Sequence, residues 1–298
     1  MLSKVQFRLQ FLVLLWGFTG VFGKLVTMSA LPMVWFRLLI AAIAVFIYIK
    51  FKKENLKVTK KELYILLGIG GIVGLHWFTF YLSIKLSNIS VALSTLSMGA
   101  LFSAILEPIF FRKRINLLEI ILAIVVSTCV IVIFNATPEY KTGIIIGVLC
   151  SFLSALFAVL NSKLARAIKP TKVTFYEMIG GLITLSLIIV SIQQDAITEI
   201  INVSWANLGW LTLLGVVFTA FAQIESVDLL KHVSAFTLML NVNLEPIYGI
   251  ILACIIFGDA EHMNIVFYIA TAVMLSSIII NGLLKAKFAK TIQLKTKN

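Results

Sequence analysis

The sequence predicts an all-α polytopic membrane protein with ten transmembrane helices in two inverted five-helix repeats. Hydrophobic residues make up 60% of its 298 residues and charged residues only 13%, and the mean hydropathy is +1.05. Soluble globular domains are far less apolar. Apolar runs of about 18 residues or more follow one another with short connections, and each can cross a roughly 30 Å hydrocarbon layer as a helix.

The apolar runs divide the chain into ten predicted spans that form one compact bundle without an extramembrane domain. The first run follows Lys4 and Arg8 and lacks a convincing signal-peptide cleavage site, so we interpret it as a retained helix. The approximate bounds of the ten spans are 9–27, 32–49, 63–82, 90–111, 116–134, 143–163, 173–192, 206–228, 234–257 and 264–284.

The second span shows the pattern that sets the orientation. It is apolar from Pro32 to Ile49, and six lysines follow between residues 50 and 61. A span that ends abruptly at lysines ends on the cytoplasmic side. Arg37 lies inside this span, where a buried charge costs at least a few kcal/mol unless it is paired or hydrated. We therefore expect Arg37 to have a partner, a cavity, or both.

The basic residues of the whole chain favour one orientation. With an inside N-terminus, 21 lysines and arginines lie on one side, and only Lys24, Lys85 and Lys141 lie on the other. This bias predicts that both termini are cytoplasmic, in a multi-pass protein of the cell (inner or plasma) membrane. The net charge of +12 is therefore explained by orientation, and no nucleic-acid partner is predicted.

Weak internal similarity predicts the two repeats. Phe36-Arg37-Leu38-Leu39 recurs 140 residues later as Tyr176-Glu177-Met178-Ile179, and Ser90-Val91-Ala92 recurs 144 residues later as Ser234-Ala235-Phe236. We therefore expect one five-helix repeat over 1–136, a second over 143–288, and a basic cytoplasmic tail over 289–298. An odd number of spans inverts the second repeat relative to the first. Arg37 then lies near the outer face and Glu177 near the inner face.

Two similar motifs are not expected to be equivalent. Leu106-Glu107-Pro108 lies close to the basic end of its span, whereas Leu244-Glu245-Pro246 lies about 13 residues before the Gly258-Asp259 end of its span. Glu107 is therefore predicted near the membrane interface and Glu245 near the middle of the membrane.

Five short motifs carry a family resemblance. They are Trp16-Gly17 followed by Lys24, Phe36-Arg37-Leu38-Leu39-Ile40-Ala41, Val91-Ala92-Leu93, Phe175-Tyr176-Glu177-Met178 and Leu244-Glu245-Pro246. In this order and spacing the whole chain resembles the ten-helix, EamA-type members of the drug/metabolite transporter superfamily. The resemblance implies export or import of small organic solutes and no particular substrate. The chain departs from the family where its fourth and ninth spans end, since the family usually has an acidic residue before a basic one there.

Glu245 is the strongest candidate for a functional group inside a span. Pro246 removes a backbone hydrogen bond and frees a carbonyl near Val242. A carboxylate beside that carbonyl suits a proton or a substrate amine. The alternative is a neutral acid that is hydrogen-bonded to Asn241 or Asn243 and joins two helices.

Other polar residues in the spans have two interpretations each. His76, with Phe80 on the same helix face, either carries a proton or bonds a neighbouring carbonyl. Glu225 either lines a cavity or belongs to a helix end, as Asp228 does.

Glu177 is expected to be neutralised by Lys163 or Arg166 in a structural role. Gly70-x3-Gly74 predicts a close-packing face.

The sequence thus predicts a cavity between the two halves of the bundle. Arg37 would bind a carboxylate at the outer mouth, and Glu245 would hold a proton or an amine. The predicted lining residues are Trp16, Arg37, His76, Phe80, Ser97, Asn161, Glu225, Asn241 and Glu245.

The predicted function is secondary transport of small metabolites, such as amino acids or related amphipathic solutes, with export as the direction. The two repeats would rock around a site at the middle of the membrane, and proton coupling is a hypothesis that rests on Glu245 and His76. The alternatives are an uncoupled facilitator of the same solutes and a membrane sensor or scaffold that moves nothing. The expected partners are a small-molecule substrate and the lipid bilayer, and no oligomeric state is indicated.

Enzymatic functions lack a supporting motif. The sequence contains no P-loop, no nucleophile elbow and no cluster of ligands at metal spacing. Cys129, Cys150 and Cys254 lie in separate apolar runs, so neither a disulfide nor a metal site is expected. We therefore predict no enzyme activity, no cofactor and no metal.

Overall fold

The computed structural model describes residues 2–112, 117–277 and 279–280, and these residues form an all-helical bundle. The predicted tail, 289–298, and the last residues of the span predicted at 264–284 lie outside the described residues. The helices are α1 (Leu2–Leu25), α2 (Ala30–Phe51), α3 (Lys60–Leu86), α4 (Ile89–Leu96), α5 (Gly99–Phe111), α6 (Leu117–Ala136), α7 (Lys141–Leu164), α8 (Pro170–Ile192), α9 (Asp195–Ile201), α10 (Trp205–Gly215), α11 (Ala222–Leu229), α12 (Ala235–Val242), α13 (Glu245–Phe257) and α14 (Ile265–Ser277).

Eight helical segments of the described chain are long and apolar enough to cross a membrane. The spans predicted at 116–134 and 264–284 correspond to shorter apolar helices, Ile124–Ala136 and Ile265–Ser277. The prediction of an all-helical membrane bundle is confirmed. The structure supports eight spans by length, together with these two shorter helices.

Helix α3 lies at the centre of the bundle and packs against α7 and α8. At Gly74, an added Cβ would lie 2.9 Å from the Cα atom of Gly181 on α8. At Gly70, an added Cβ would lie 2.3 Å from the backbone carbonyl oxygen of Glu177 on α8. The predicted close-packing face at Gly70-x3-Gly74 is therefore confirmed, and it brings α8 against the core of the bundle.

Two of the membrane-crossing segments are broken in the same way. Helix α4 has eight residues and α5 has 13, and the break between them is at Ser97 and Met98. Helix α12 also has eight residues and α13 has 13, and the break is at Asn243 and Leu244. By this correspondence Gly99 matches Glu245, which confirms that Glu107 and Glu245 are not equivalent.

The second break has a local chemical cause. Pro246 is at the start of α13 and has no N–H group to bond the carbonyl one turn earlier, so the helix is interrupted before it. The chain passes the break with tighter bonds, such as Leu244 N to Asn241 O at 3.0 Å. The first break contains no proline, and there Met98 N donates to Thr95 O at 3.1 Å.

Each broken segment begins at a carboxylate from the other half of the chain. Glu261, just beyond α13, accepts hydrogen bonds from Ile89 N at 3.2 Å and Ser90 N at 3.0 Å, at the start of α4. Glu107 on α5 accepts from Phe236 N at 3.0 Å, at the start of α12. These contacts place the two broken segments side by side with opposite chain directions. Each carboxylate also complements the positive end of the helix that it meets.

Ion pairs mark the two ends of the bundle. At one end, here called the Lys24 end, Lys24 Nζ lies 2.6 Å from Glu261 Oε1. At the other, here called the Arg8 end, Arg8 pairs with Glu225 and with Asp228. The acidic residue after the ninth predicted span thus has its basic partner on α1.

Candidate functional site

A cavity lies inside the bundle, with walls from both halves of the chain. The lining residues are Trp16, Thr19, Arg37, His76, Trp77, Phe80, Leu96, Ser154, Phe157, Ala158, Gln223, Ser226, Leu238, Met239, Val242 and Glu245.

Most of the cavity wall is apolar and aromatic. Trp16 comes from α1, Trp77 and Phe80 from α3, and Phe157 from α7, while α12 contributes Leu238 and its neighbours. A wall of this kind suits the apolar part of an amphipathic solute.

Arg37 is only 2% exposed, and its guanidinium is held by neutral groups. Nη1 donates to Tyr81 Oη at 2.8 Å, Nη2 donates to the carbonyl of Phe218 at 3.4 Å, and Nε donates to Thr219 Oγ1. The guanidinium carbon lies 4.5 Å from the centre of the Trp77 ring. The expectation that Arg37 has a partner, a cavity or both is confirmed, since it has both. Its burial places it inside the bundle rather than at an open mouth.

The contacts of Arg37 depend on an irregular stretch of backbone. Residues Val216–Phe221 form a π-helical turn between α10 and α11. Inside this turn Thr219 Oγ1 donates to Leu214 O at 2.7 Å, five residues earlier. Single π-helical turns inside membrane helices are frequent at functional sites. Here the turn presents Phe218 and Thr219 to the guanidinium.

Glu245 is 4% exposed and is the first residue of α13, directly after the break. No hydrogen bond or ion pair to its carboxyl is found among the described residues. Arg37 and Glu245 both line the cavity. The cavity therefore presents one guanidinium and one carboxyl group that are not paired by direct contact.

The structure does not show the contacts that would make Glu245 a simple link between helices. Asn241 accepts from Gln6 at 3.2 Å and from Gln10 at 2.9 Å, and it donates to Thr237 O. The Nδ2 atom of Asn243 is buried without a partner in the described chain. Neither amide bonds Glu245, so its carboxyl remains available to the cavity.

His76 makes the contact with a neighbouring carbonyl that was one of its two interpretations. Its Nδ1 atom lies 3.0 Å from the carbonyl oxygen of Cys150, and because a carbonyl only accepts, Nδ1 is the donor. The neutral ring then keeps Nε2 as an acceptor. The ring also lines the cavity and lies 5.3 Å from the ring of Phe157.

Five of the nine predicted residues line the cavity: Trp16, Arg37, His76, Phe80 and Glu245. The other four lie elsewhere. The hydroxyl of Ser97 donates to Leu93 O at the first helix break. Glu225 pairs with Arg8 at the Arg8 end, Asn241 contacts α1, and Asn161 lies beside Glu177.

Two expectations about neighbouring acids have different outcomes. Asp228 pairs with Lys231 at 2.8 Å, which confirms that it belongs to a helix end. Glu177 was expected to meet Lys163 or Arg166, and this is wrong for the described residues, because Gln223 Nε2 donates to Glu177 Oε2 at 2.9 Å. The ammonium of Lys163 instead lies above the rings of Phe110 and Phe111 and contacts them rather than Glu177.

Several polar lining residues were missed by the sequence analysis. Gln223 and Ser226 both line the cavity, and their spacing of three residues on α11 places them on one helix face. Thr19 follows Trp16 by three residues and shares its face in the same way. The helical spacing from a predicted lining residue was the signal that could have found Thr19.

Comparison with known proteins identifies similar chains. The EamA-like transporter family matches residues 9–135 and 141–283. A Bacillus subtilis (strain 168) protein described as "Uncharacterized transporter YxxF" is 21% identical over 265 residues, which cover 86% of this chain and 83% of that protein. A solved crystal structure, described only as that of a protein, superposes with a TM-score of 0.68 at 14% identity and covers 96% of this chain and 99% of its own.

Proposed function

The chain belongs to the EamA-like transporter family, and from this premise we propose that it exports small zwitterionic metabolites, such as amino acids and related amphipathic solutes. The observation that carries the proposal is the pair formed by Arg37 and Glu245 in one cavity with an aromatic wall. Membrane transport of small solutes by a multi-pass protein follows from the family. The substrate class, the direction and the coupling are the proposal.

The two charged groups suit the two ends of a zwitterion. Arg37 has no anionic partner in the described chain, so a substrate carboxylate would supply the missing negative charge, with the planar guanidinium binding it by two parallel bonds. The unpaired Glu245 would bind the ammonium group. An unpaired charge in a low-dielectric interior is costly, and a ligand that pairs both groups at once offsets that cost.

The ends of the bundle suit alternating access. We propose ten membrane helices in two inverted repeats, 1–136 and 143–288, followed by the tail 289–298, with both termini cytoplasmic. The Lys24–Glu261 pair would close the outer end and the Arg8–Glu225 pair the inner end. Transport would break one pair while the other holds. The two broken segments run in opposite directions, and each starts at a carboxylate from the other half of the chain. This arrangement supports alternating access.

Proton coupling is the coupling mode that we propose, and the sequence nominated Glu245 and His76 for it. Both line the cavity, which supports a role in which proton binding and substrate binding influence each other. The two competing functions are an uncoupled facilitator of the same solutes and a membrane sensor or scaffold.

The test is efflux from liposomes that contain the purified protein and a mixture of amino acids, nucleosides and other small metabolites. Mass spectrometry follows efflux with and without a pH gradient, for wild type, Glu245→Gln and the control Glu139→Gln, whose side chain is exposed. Selective efflux of zwitterions that the gradient accelerates, and that only Glu245→Gln loses, supports the proposal. Selective efflux that ignores pH favours the facilitator. No efflux from folded protein favours the sensor or scaffold.

A further inference from the structure

Three buried side-chain oxygen atoms on α7 and α8 have no hydrogen-bond partner in the described chain. They are Asn161 Oδ1, Thr174 Oγ1 and Glu177 Oε1, and they are three of the five buried side-chain atoms without a hydrogen-bond partner in the described chain. Their residues are 1%, 0% and 0% exposed. Since buried polar atoms in proteins are nearly always satisfied, these unbonded carboxyl, amide and hydroxyl oxygens indicate a partner that the described side chains do not supply.

The backbone holds these atoms in one group, here called the Glu177 cluster (Asn161, Thr174 and Glu177). Thr174 and Glu177 are three residues apart on α8 and share a helix face. The side chain of Asn161, in the last turn of α7, lies within hydrogen-bonding range of the Glu177 carboxyl. The cluster therefore combines a carboxylate, an amide and a hydroxyl oxygen.

Gln223 connects the cluster to the cavity. Its Nε2 atom donates to Glu177 Oε2 at 2.9 Å, and the same residue lines the cavity. A bond to a charged carboxylate is about twice as strong as a bond to a neutral one. A change in the charge of Glu177 therefore changes how firmly the Gln223 amide is held at the cavity wall.

The carboxyl group of Glu177 is fully buried and has no cationic partner in the described structure. The titratable side chains on the surrounding helices have other contacts: Arg37 on α2 with Tyr81, His76 on α3 with Cys150, Lys163 on α7 with Phe110, Lys172 on α8 with Asn55, and Glu225 and Asp228 on α11 with Arg8. A fully buried, unpaired carboxylate is too costly to persist, so the cluster needs a bound cation.

We propose that the Glu177 cluster is the binding site of the cation whose movement drives transport, and that it binds a proton or a sodium ion. The inference rests on the proposed function and deepens it. In this proposal Glu245 binds the substrate amine and the Glu177 cluster adds a second carboxyl for the coupling cation.

Both cations fit the orphaned atoms. A proton on Glu177 Oε1 makes it a donor to Asn161 Oδ1 or Thr174 Oγ1, which satisfies two of the three atoms at once. A sodium ion takes the three oxygens as hard ligands, as membrane transporters do with side-chain and backbone oxygens near the middle of the membrane. Either cation neutralises Glu177 and weakens its bond to Gln223, which frees the amide toward the cavity.

The test measures cation binding on purified protein in the absence of substrate, so its result does not depend on transport. Radioactive sodium binding is measured by scintillation proximity, and the protonated carboxyl signal is followed by infrared difference spectroscopy while pH is changed. The variants are Glu177→Gln and Thr174→Val. Their controls are Glu199→Gln and Thr184→Val, because Glu199 bonds Ser29 N and Thr184 bonds Gly180 O outside the cluster.

A sodium site predicts that Glu177→Gln abolishes sodium binding and that Thr174→Val weakens it by about tenfold, with both controls unchanged. A proton site predicts no sodium binding and a titrating carboxyl signal that Glu177→Gln removes and Thr174→Val shifts. If Glu177→Gln does not fold, the proposal is tested with Thr174→Val only, because this variant keeps the carboxyl group. Identical behaviour of wild type, Thr174→Val and a folded Glu177→Gln in both measurements would overturn the proposal. Loss of efflux with intact cation binding would instead count against the proposed function.

Discussion

The ammonium of Lys24 lies 2.6 Å from the Glu261 carboxylate, which is fully buried and also accepts hydrogen bonds from the first backbone N–H groups of α4. One side chain thus joins α1, the start of α4 and the segment after α13. Glu261→Gln would remove the charge that complements both the lysine and the helix end. We expect a loss of about 1–3 kcal/mol of stability.

Thermal unfolding of the purified protein in detergent checks this expectation. Glu139→Gln serves as the control, because Glu139 is an exposed acid. Equal melting temperatures for Glu261→Gln and wild type would show that the pair and the helix contact contribute nothing measurable.

The packing of α3 against α8 makes a second prediction. A methyl group at Gly74 would meet the Gly181 backbone at 2.9 Å, so Gly74→Ala would push two helices apart and lose about 1–3 kcal/mol. Gly68 lies on the same helix with nothing within 4 Å of an added Cβ, so Gly68→Ala should be neutral or slightly stabilising. Melting temperatures of the two variants should therefore move differently. A similar decrease in both would contradict the packing argument.

The connection between α2 and α3 gives a prediction of pH dependence. Glu54 accepts a hydrogen bond from Thr171 Oγ1 at 2.6 Å and lies 3.4 Å from Lys169 Nζ, and these contacts lower its pKa from the ordinary value of 4.5. A lowered pKa means that the contribution to stability is present above pH 4.5 and is lost as pH falls through the folded value.

Thr171→Val removes the largest cause of this shift. At neutral pH we expect the variant to be less stable than wild type by about 0.5–1.5 kcal/mol, and the difference should shrink below the ordinary pKa of Glu54. Melting temperatures at several pH values check the sign. In Glu54→Gln the same Thr171→Val change should show no pH dependence, and a persistent dependence would exclude Glu54 as its origin.

Much of the fold could be predicted because hydropathy and charge act locally along the chain. The abrupt change from Ile49 to the following lysines locates the end of α2 within a few residues. The glycine spacing at Gly70 and Gly74 predicted a close helix contact without naming the partner. The breaks in α4–α5 and α12–α13 could be predicted only in part, because Pro246 signals one of them and no proline marks the other.

The site was predictable where a charge or an aromatic residue stood out in an apolar span, as for Arg37, Glu245 and Trp16. It was not predictable where partner choice depends on the three-dimensional packing. Glu225 and Arg8 are more than 200 residues apart in sequence, yet the pair removes Glu225 from the cavity. Gln223 gives no local signal of its contact with Glu177, because a single amide in a span is also common between packed helices.

The opposed charges of Arg37 and Glu245 predict which part of a substrate each residue recognises. Binding to the purified protein would be measured for an amino acid, the matching carboxylic acid without the amine, and the matching amine without the carboxylate. In Glu245→Gln the amino acid and the amine should bind about tenfold more weakly, because the ammonium loses its anionic partner, while the carboxylic acid should bind as in wild type. Arg37→Lys keeps the charge and loses the two-bond geometry, so it should weaken the amino acid and the carboxylic acid and spare the amine. Equal weakening of all three ligands in both variants would show that the two residues shape the cavity without recognising the ends of a zwitterion.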